Sequence, residues 1–367
     1  MKKFSDIITV AAFFTILIMF AVSTLFFQKT VSFSQTKERE GNVKEAASEY
    51  VDRNFPMNKN WRSLYTNVMV FTGRSRFGDT YYTNGRLIKH LGRKHKDNTI
   101  ENVAYVNEMA ANTDSQIFMM LAPTAAGVYS ADLPDFLSEK SQRETINDAY
   151  MQLDKRIASI DAFYPLYSAR DEYVFYRTEN LWTSFGAYYA YTESTRQLGL
   201  QTVTLENYDQ EYAASDFYGS LYDTAMVGGI KSDRINIFRS KYQSPVKKVE
   251  MFNGDETKEA ESVYFRSALK NNKKTDIFLL GDRYVKTDIY TDIENAPKLL
   301  IIKGSFANTI VPFYTAHYSK ITMVDPKKLS ESGLTLSETV DLDEYDQILV
   351  LFDIDSFSQA GYFKSLT

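Results

Sequence analysis

The chain of 367 residues contains no cysteine. That excludes disulfides and thiolate-built metal sites and leaves the redox compartment open. Histidine occurs only three times, never at metal-ligand spacing from another ligand type. A histidine-built metal centre is therefore not expected. No glycine-rich phosphate loop, nucleotide fingerprint or metal motif is present, so no cofactor is expected either. There is no basic stripe with interleaved aromatics, and the net charge is −5. Nucleic acid is thus a poor match as a partner. Internal repeats and low-complexity tracts are also missing.

What is present begins with size. The length allows one large domain or two ordinary ones with a sizeable core. Tyrosine and phenylalanine are abundant, at 26 and 25 residues. A tyrosine-rich core and surface explains them, and so does a sugar-binding cleft lined by rings. Composition does not separate the two.

Long apolar character is concentrated at the N-terminus. Lys2 and Lys3 precede an uncharged apolar run from Ile7 to Phe27. As a helix, about twenty such residues cross a hydrocarbon core of about 30 Å. The exit Thr24-Leu25-Phe26-Phe27-Gln28 is bulky and lacks a small-x-small cleavage site, which favours an uncleaved anchor through residues 7–27. Lys2 and Lys3 favour a cytoplasmic N-terminus, with Lys29 weakening the asymmetry. The expected organisation is a cytoplasmic stub and transmembrane helix over 1–28, a polar spacer over 29–49, and an extracytoplasmic domain over 50–367.

The domain reads as α/β. Arg53 to Ile88 gives helix, strand, turn and strand, with Asn84-Gly85 as a hairpin signal. Thr99 to Ala111 is an amphipathic helix, and Ile117 to Leu121 a continuous apolar run suited to a buried parallel strand. A long polar helix is expected over Lys140 to Ile157. Residues 205–274 are irregular and read as an insertion near the site, with a strand at Val246 to Phe252. Further buried strands are expected at Asp276 to Gly281, Lys298 to Lys303, Ile321 to Val324 and Gln347 to Phe352. A helix is expected from Phe306 to about Tyr318. Strands alternating with helices imply a mostly parallel sheet covered on both faces.

The stretch from Val174 to Gly199 organises the chemistry. Val174 to Tyr176 reads as the end of a buried strand. Thr183 or Ser184 supplies a capping hydroxyl for a helix that runs to Leu198 and stops at Gly199. Glu179, Asn180 and Leu181 then occupy a strand-to-helix loop, where α/β sheets gather ligand-binding groups. Ser305 lies at another such junction. There it is a candidate nucleophile with backbone N–H groups near an oxyanion, or simply a helix cap.

The loop resembles the signature of the DHHW protein family, in which Thr-Asp-His-His-Trp-Thr precedes a Gly-Ala-Tyr helix. Thr178, Trp182, Thr183, Gly186, Ala187 and Tyr188 match. The family's Asp falls on Glu179, its first His on Asn180 and its second, the catalytic base, on Leu181. Lys303-Gly304-Ser305-Phe306-Ala307-Asn308-Thr309 is similar to the family's Lys-Asp-Ser-Tyr-Ala-Asn-Ser, with Gly304 replacing the Asp. Leu121 to Pro134 is a third similar block, and the likeness extends over roughly residues 50 to 367.

The family is in turn similar to SGNH hydrolases and alginate O-acetylation proteins. The resemblance implies an SGNH-hydrolase-like three-layer α/β/α domain. It also implies work on cell-surface glycan beside a membrane-bound O-acyltransferase family protein. Ser305 would be the nucleophile, Glu179 a weak substitute base, and Leu181 the site of a lost one. Asn180, Trp182, Asn308, Asp282 and Tyr218 would bind substrate, with Arg283 the simplest partner of Asp282. Burial raises a Glu pKa towards the working range, but Glu179 bonding to Arg177 or to the N-terminus of the helix that follows the loop is the competing reading. His317 is about 18 Å along a helix from Ser305, out of reach. Its place near a helix C-terminus has an ordinary electrostatic explanation. His90 and His95 sit in the basic segment Lys89 to Lys96, a solvated loop. Two functions follow: a non-catalytic or weakly active glycan-binding accessory, or an active acetyltransferase or acetylesterase that uses Ser305 with an unconventional base.

Overall fold

A computed structural model describes residues 2–26, 32–34, 42–55, 57–90, 98–134, 141–242, 245–271 and 273–367. The chain divides into two compact units, residues 1–74 with 226–228, and residues 75–225 with 229–367.

In the first unit, helix α1 (Lys2–Phe26) takes up most of the apolar run. Among the described residues no helix is long and apolar enough to cross a membrane. The side chains of residues 20, 21 and 23–26 are outside the described set. Of the spacer expected over 29–49, residues 29–31 and 35–41 are also outside it. The spacer's last part instead opens helix α2 (Val43–Asn54), where the Asn42 side chain accepts from the Lys44 N–H. Helix α3 (Asn58–Phe71) completes the unit.

The second unit starts with a small antiparallel sheet of β1 (Arg76–Phe77), β2 (Thr80–Thr83) and β3 (Arg86–Lys89). Asn84 and Gly85 both have positive φ, 46° and 73°, as the hairpin signal requires. The main sheet has eight strands. Five are parallel: β4 (Gln116–Ala122), β5 (Ile157–Ile160), β11 (Lys298–Lys303), β12 (Lys320–Val324) and β13 (Gln347–Asp353), in the order β5-β4-β13-β11-β12. Antiparallel β10 (Lys286–Thr291), β8 (Val246–Phe252) and β9 (Thr257–Ala260) extend it beyond β12.

Alternation along these strands builds two cores. Leu299 and Ile301, Phe118 and Met120, and Leu349 and Leu351 face one cluster. Leu300 and Ile302, Ile117 and Met119, and Ile348 and Val350 face the other. A strand buried on both faces has no polar period to show, which is why these runs are continuously apolar. Helices α4 (Thr99–Ala110) and α5 (Gln142–Met151) supply residues to the second cluster. Helices α6 (Ser184–Gln197) and α8 (Ala307–Tyr314) supply the first, and α7 (Ser220–Ala225) stands between them in sequence. Helix α9 (Ile354–Gln359) follows β13.

Five expectations are corrected. The sheet is mixed rather than mostly parallel, because β8, β9 and β10 join it antiparallel. Much of the expected irregular insertion is therefore regular, and the remainder includes an antiparallel pair, β6 (Tyr208–Phe217) with β7 (Asp233–Ser240). Val174 to Tyr176 is not a sheet strand but one side of a tight turn, with Phe175 bridged to Trp182. Asp276 to Gly281 is a 3-10 turn followed by Leu279, Leu280 and Gly281 at φ of 53°, 58° and 68°. A short buried apolar run looks the same whether sheet pairing or packing buries it. The polar helix is also shorter than expected: Ser141 and Glu144 form a capping box at its start, and Ile157 already belongs to β5.

Helix α6 begins as its sequence indicates. Thr183 caps it by accepting from the Gly186 N–H, and it ends before Gly199 at φ 69°. Gly186 is needed for close approach, since a Cβ there would meet the Val174 backbone and stand 3.0 Å from the Trp182 Cβ. Gly186→Ala must push backbone against backbone. It should cost about 1–3 kcal/mol of stability, read as a lowered urea midpoint with unchanged slope.

Candidate functional site

The turn before α6 is held at both ends. The Thr183 N–H donates to Val174 O at 2.9 Å, and the Tyr176 N–H to Leu181 O at 3.2 Å. Its central support is Asp233, which is fully buried. Asp233 accepts from the Tyr173 hydroxyl at 2.5 Å, from the N–H groups of Arg177 and Thr178 at 2.8 Å each, and from the Thr178 hydroxyl. The Arg177 guanidinium stands 3.7 Å away. Sequence reasoning missed Asp233, because it lies far along the chain at the start of β7 with no local motif.

Opposite this turn, the carboxyl end of β11 delivers Ser305. Its hydroxyl does not cap α8, which has no side-chain cap. It donates to Asp282 instead. Asp282 also receives Lys303 Nζ at 2.6 Å and the Asn308 amide at 2.9 Å. Asp282 keeps 39 % of its side-chain surface open to solvent, and the Lys303 charge and these hydrogen bonds hold its carboxyl below the usual carboxylate range. Arg283 is not its partner; it pairs with Asp276 at 2.7 Å. The successive left-handed residues Leu279 to Gly281 deliver Asp282 to this place, a conformation costly for leucine.

A cavity of about 460 Å³ lies between the two walls, lined among others by Glu179, Asn180, Leu181, Tyr218, Asp282, Ser305 and Asn308. Leu181 and Ser305 thus share one cavity at the carboxyl ends of parallel strands. Glu179 is fully engaged in holding α7. One oxygen accepts from the Asn180 N–H at 2.8 Å and the Ser220 hydroxyl at 2.6 Å, and the other from the Ser220 N–H at 2.8 Å. Arg177, offered as its partner from sequence, lies against Asp233 instead. Tyr218 is 41 % exposed and stacks near Tyr222 with ring centres 4.5 Å apart. Asn180 and Asn308 each keep a buried amide oxygen with no partner among the described residues. A ligand hydroxyl is the natural complement of such acceptors.

Trp182 is a correction. It has no exposed surface and does not line the cavity, so it cannot touch substrate. Its indole N–H donates to Phe306 O at 3.0 Å, tying the turn to the residue after Ser305. The replacement of the family's Asp by Gly304 also has a steric counterpart. A Cβ on Gly304 would stand 2.7 Å from the Phe352 ring, which is packed in the core.

No histidine among the described residues lines the cavity. The ring of His317 lies 2.7 Å from the Tyr191 hydroxyl, and burial lowers its pKa. His90 follows β3, and His95 is outside the described residues. Asp353, sequence-missed, lines the cavity at the end of β13. Burial pushes its carboxyl up.

A mixed α/β sheet carries a serine and a tryptophan-braced turn that meet at one cavity at its strand ends. The chain belongs to the DHHW family: the model described as DHHW protein matches residues 34–324. The match starts earlier than the resemblance indicated and stops at β12. Among curated proteins, none matches this sequence. A DHHW family protein from Eubacterium siraeum DSM 15702 is 20 % identical at a TM-score of 0.64, covering 79 % of this chain and 97 % of its own. Bacillus cereus PatB1, in a structure with a sulfonyl adduct, is 15 % identical at a TM-score of 0.65, covering 78 % and 98 %. The O-acetyltransferase domain of Pseudomonas putida AlgJ is 13 % identical at 0.43, covering 73 % and 86 %.

Two predictions follow from this geometry. Asp233→Ala strands a set of buried donors, and losing one partner of such a network costs about 3–5 kcal/mol. The expected result is a large fall in the denaturant midpoint and faster proteolysis around Arg177. The second concerns acid. Because the folded pKa of Asp282 is depressed, its stabilisation is complete above the unfolded value near 4 and is lost as pH falls through the folded one. Lys303→Met removes the cause. Its acid-unfolding midpoint should therefore move to higher pH, and circular dichroism against pH measures the shift.

Proposed function

We propose that this protein is a glycan-binding member of its family that serves as a non-catalytic or weakly active accessory in O-acetylation or export of cell-surface polysaccharide. One observation carries the reading: the Ser305 hydroxyl donates to Asp282, a carboxylate already engaged by Lys303 Nζ and the Asn308 amide. A serine becomes nucleophilic near neutral pH only if a base takes its proton. Leu181 cannot do so, Glu179 is committed to α7, and Asp282 is paired with Lys303. The two unpartnered amide oxygens and the Tyr218 ring suit a sugar's hydroxyls and apolar face. A membrane-bound O-acyltransferase family protein is the proposed acyl source and partner.

The same proposal anchors the chain by α1 with residues 29–367 outside. It rests on the uncharged run in the sequence and on Ile7, Ile8, Val10, Phe13, Phe14 and Leu17, all exposed. These lie on several sides of the helix, as in a segment surrounded by lipid.

The alternative is an active serine-dependent polysaccharide O-acetyltransferase or acetylesterase. It is favoured by Asp353, a buried carboxyl of raised pKa in the same cavity.

Turnover separates the two. The purified protein should show negligible hydrolysis of a chromogenic acetyl ester or transfer to glycan, and Ser305→Ala should change neither. A sulfonyl fluoride, suggested by the PatB1 adduct, should leave Ser305 unlabelled in mass spectra. Loss of a triad base costs on the order of 10⁴-fold or more in turnover. Leu181→His with Glu179→Asp should therefore restore a small Ser305-dependent rate. Adding Gly304→Asp should help only with Phe352 trimmed to leucine, since the ring occupies that space. Robust native activity abolished by both Ser305→Ala and Asp353→Asn would establish the alternative.

A further inference from the structure

The cavity beside Ser305 holds a buried acceptor whose orientation is fixed. Asn308 lines the cavity and is only 6 % exposed. Its Nδ2 donates to Asp282, a carboxylate that can only accept, so the amide cannot turn over. The Asn308 oxygen is therefore the end left without a partner among the described residues. An orphaned buried acceptor calls for a donor from a ligand. Asp282 stands beside it with its carboxylate partly open to solvent. Positive charge does not offset this wall. Lys303 is buried between Asp282 and Asp325 and does not line the cavity. Arg283 lines it but pairs with Asp276 at 2.7 Å. Lys273 is the remaining cation among the described lining residues, and it is exposed. Glu179 and Asp223 add carboxylates to the lining, and Asp353 adds no positive charge in either protonation state.

We infer that the cavity selects an uncharged sugar unit and rejects a uronate, with Asn308 and Asp282 as the residues that discriminate. The inference rests on the proposed reading of the cavity as a glycan site and narrows that site to a neutral polysaccharide. A sugar hydroxyl against this wall can donate to Asn308 Oδ1. A sugar carboxylate in the same place meets an acceptor and a like charge, and the nearest cation is already committed to Asp282 and Asp325. Leaving the wrong ligand unpaired in this way separates two sugars of the same shape without any added contact to the right one. Whether Ser305 is catalytic does not enter.

Matched hexasaccharides test it. Mannohexaose and hexamannuronate of the same linkage differ only in a hydroxymethyl or a carboxylate on each ring, and so do cellohexaose and its glucuronate counterpart. Calorimetry measures the binding of each to the full-length protein in about 0.15 M and about 1 M salt, where charges are screened over about 8 Å and about 3 Å. In at least one pair the neutral hexamer should bind at least about tenfold more tightly than its uronate, and in both salts, because a contact between unpaired groups survives screening. Asp282→Asn replaces the like charge by an amide of the same shape, and the gap should shrink to about threefold or less. Asn308→Ala removes the acceptor and should weaken binding of the neutral hexamer about fivefold. Circular dichroism checks that both variants fold, and the native comparison decides by itself if they do not. Uronates that bind as tightly as their neutral partners would overturn the inference and leave the glycan reading standing. A preference that vanishes in the higher salt would also overturn it, since the chain's net charge of −5 would then be its cause. Binding of none of the four hexamers would remove the glycan reading and the inference together.

Discussion

The hydrogen bond from the Trp182 indole to the Phe306 carbonyl joins the two halves of the site. One half is the turn before α6 and the other is the turn after β11. They are distant in sequence and share no backbone ladder. With the indole sealed in the core and its ring centre 4.7 Å from that of Phe306, their spacing is set by packing. Everything that lines the cavity inherits this spacing, including the juxtaposition of Leu181 and Ser305.

Within that frame, one buried cation organises the Ser305 side of the cavity. The buried Lys303 serves both Asp282 and Asp325, the latter at 3.8 Å. Its charge keeps Asp282 ionised, and Asp282 in turn fixes Ser305 and Asn308. A network of this kind orients hydroxyl and amide groups. Gly304 and Phe352 show a departure in packing, because the space of the family's Asp is filled by a core ring.

Legibility differed from element to element. The Asn84-Gly85 hairpin, the Thr183 cap and the Gly199 stop were readable, since each depends on the backbone preferences of one or two residues. The continuous apolar runs at β4, β11 and β13 marked buried strands correctly. The runs at 174–176 and 276–281 misled, because burial by packing and burial by a sheet leave the same mark. The motif residues could be placed in one site from their family pattern. Asp233 and Asp353 could not, having no local signal of function.

The sequence by itself determined the layered α/β class and the membership in the DHHW family. These depend on residue type and local period. Only the tertiary structure decided that Trp182 is a brace and not a contact, that Glu179 holds α7, and that Ser305 answers to Asp282 rather than to Leu181's neighbours. Those are questions of which side chains meet across long chain separations. Packing and the depth of burial settle them, and neither is encoded at any single position.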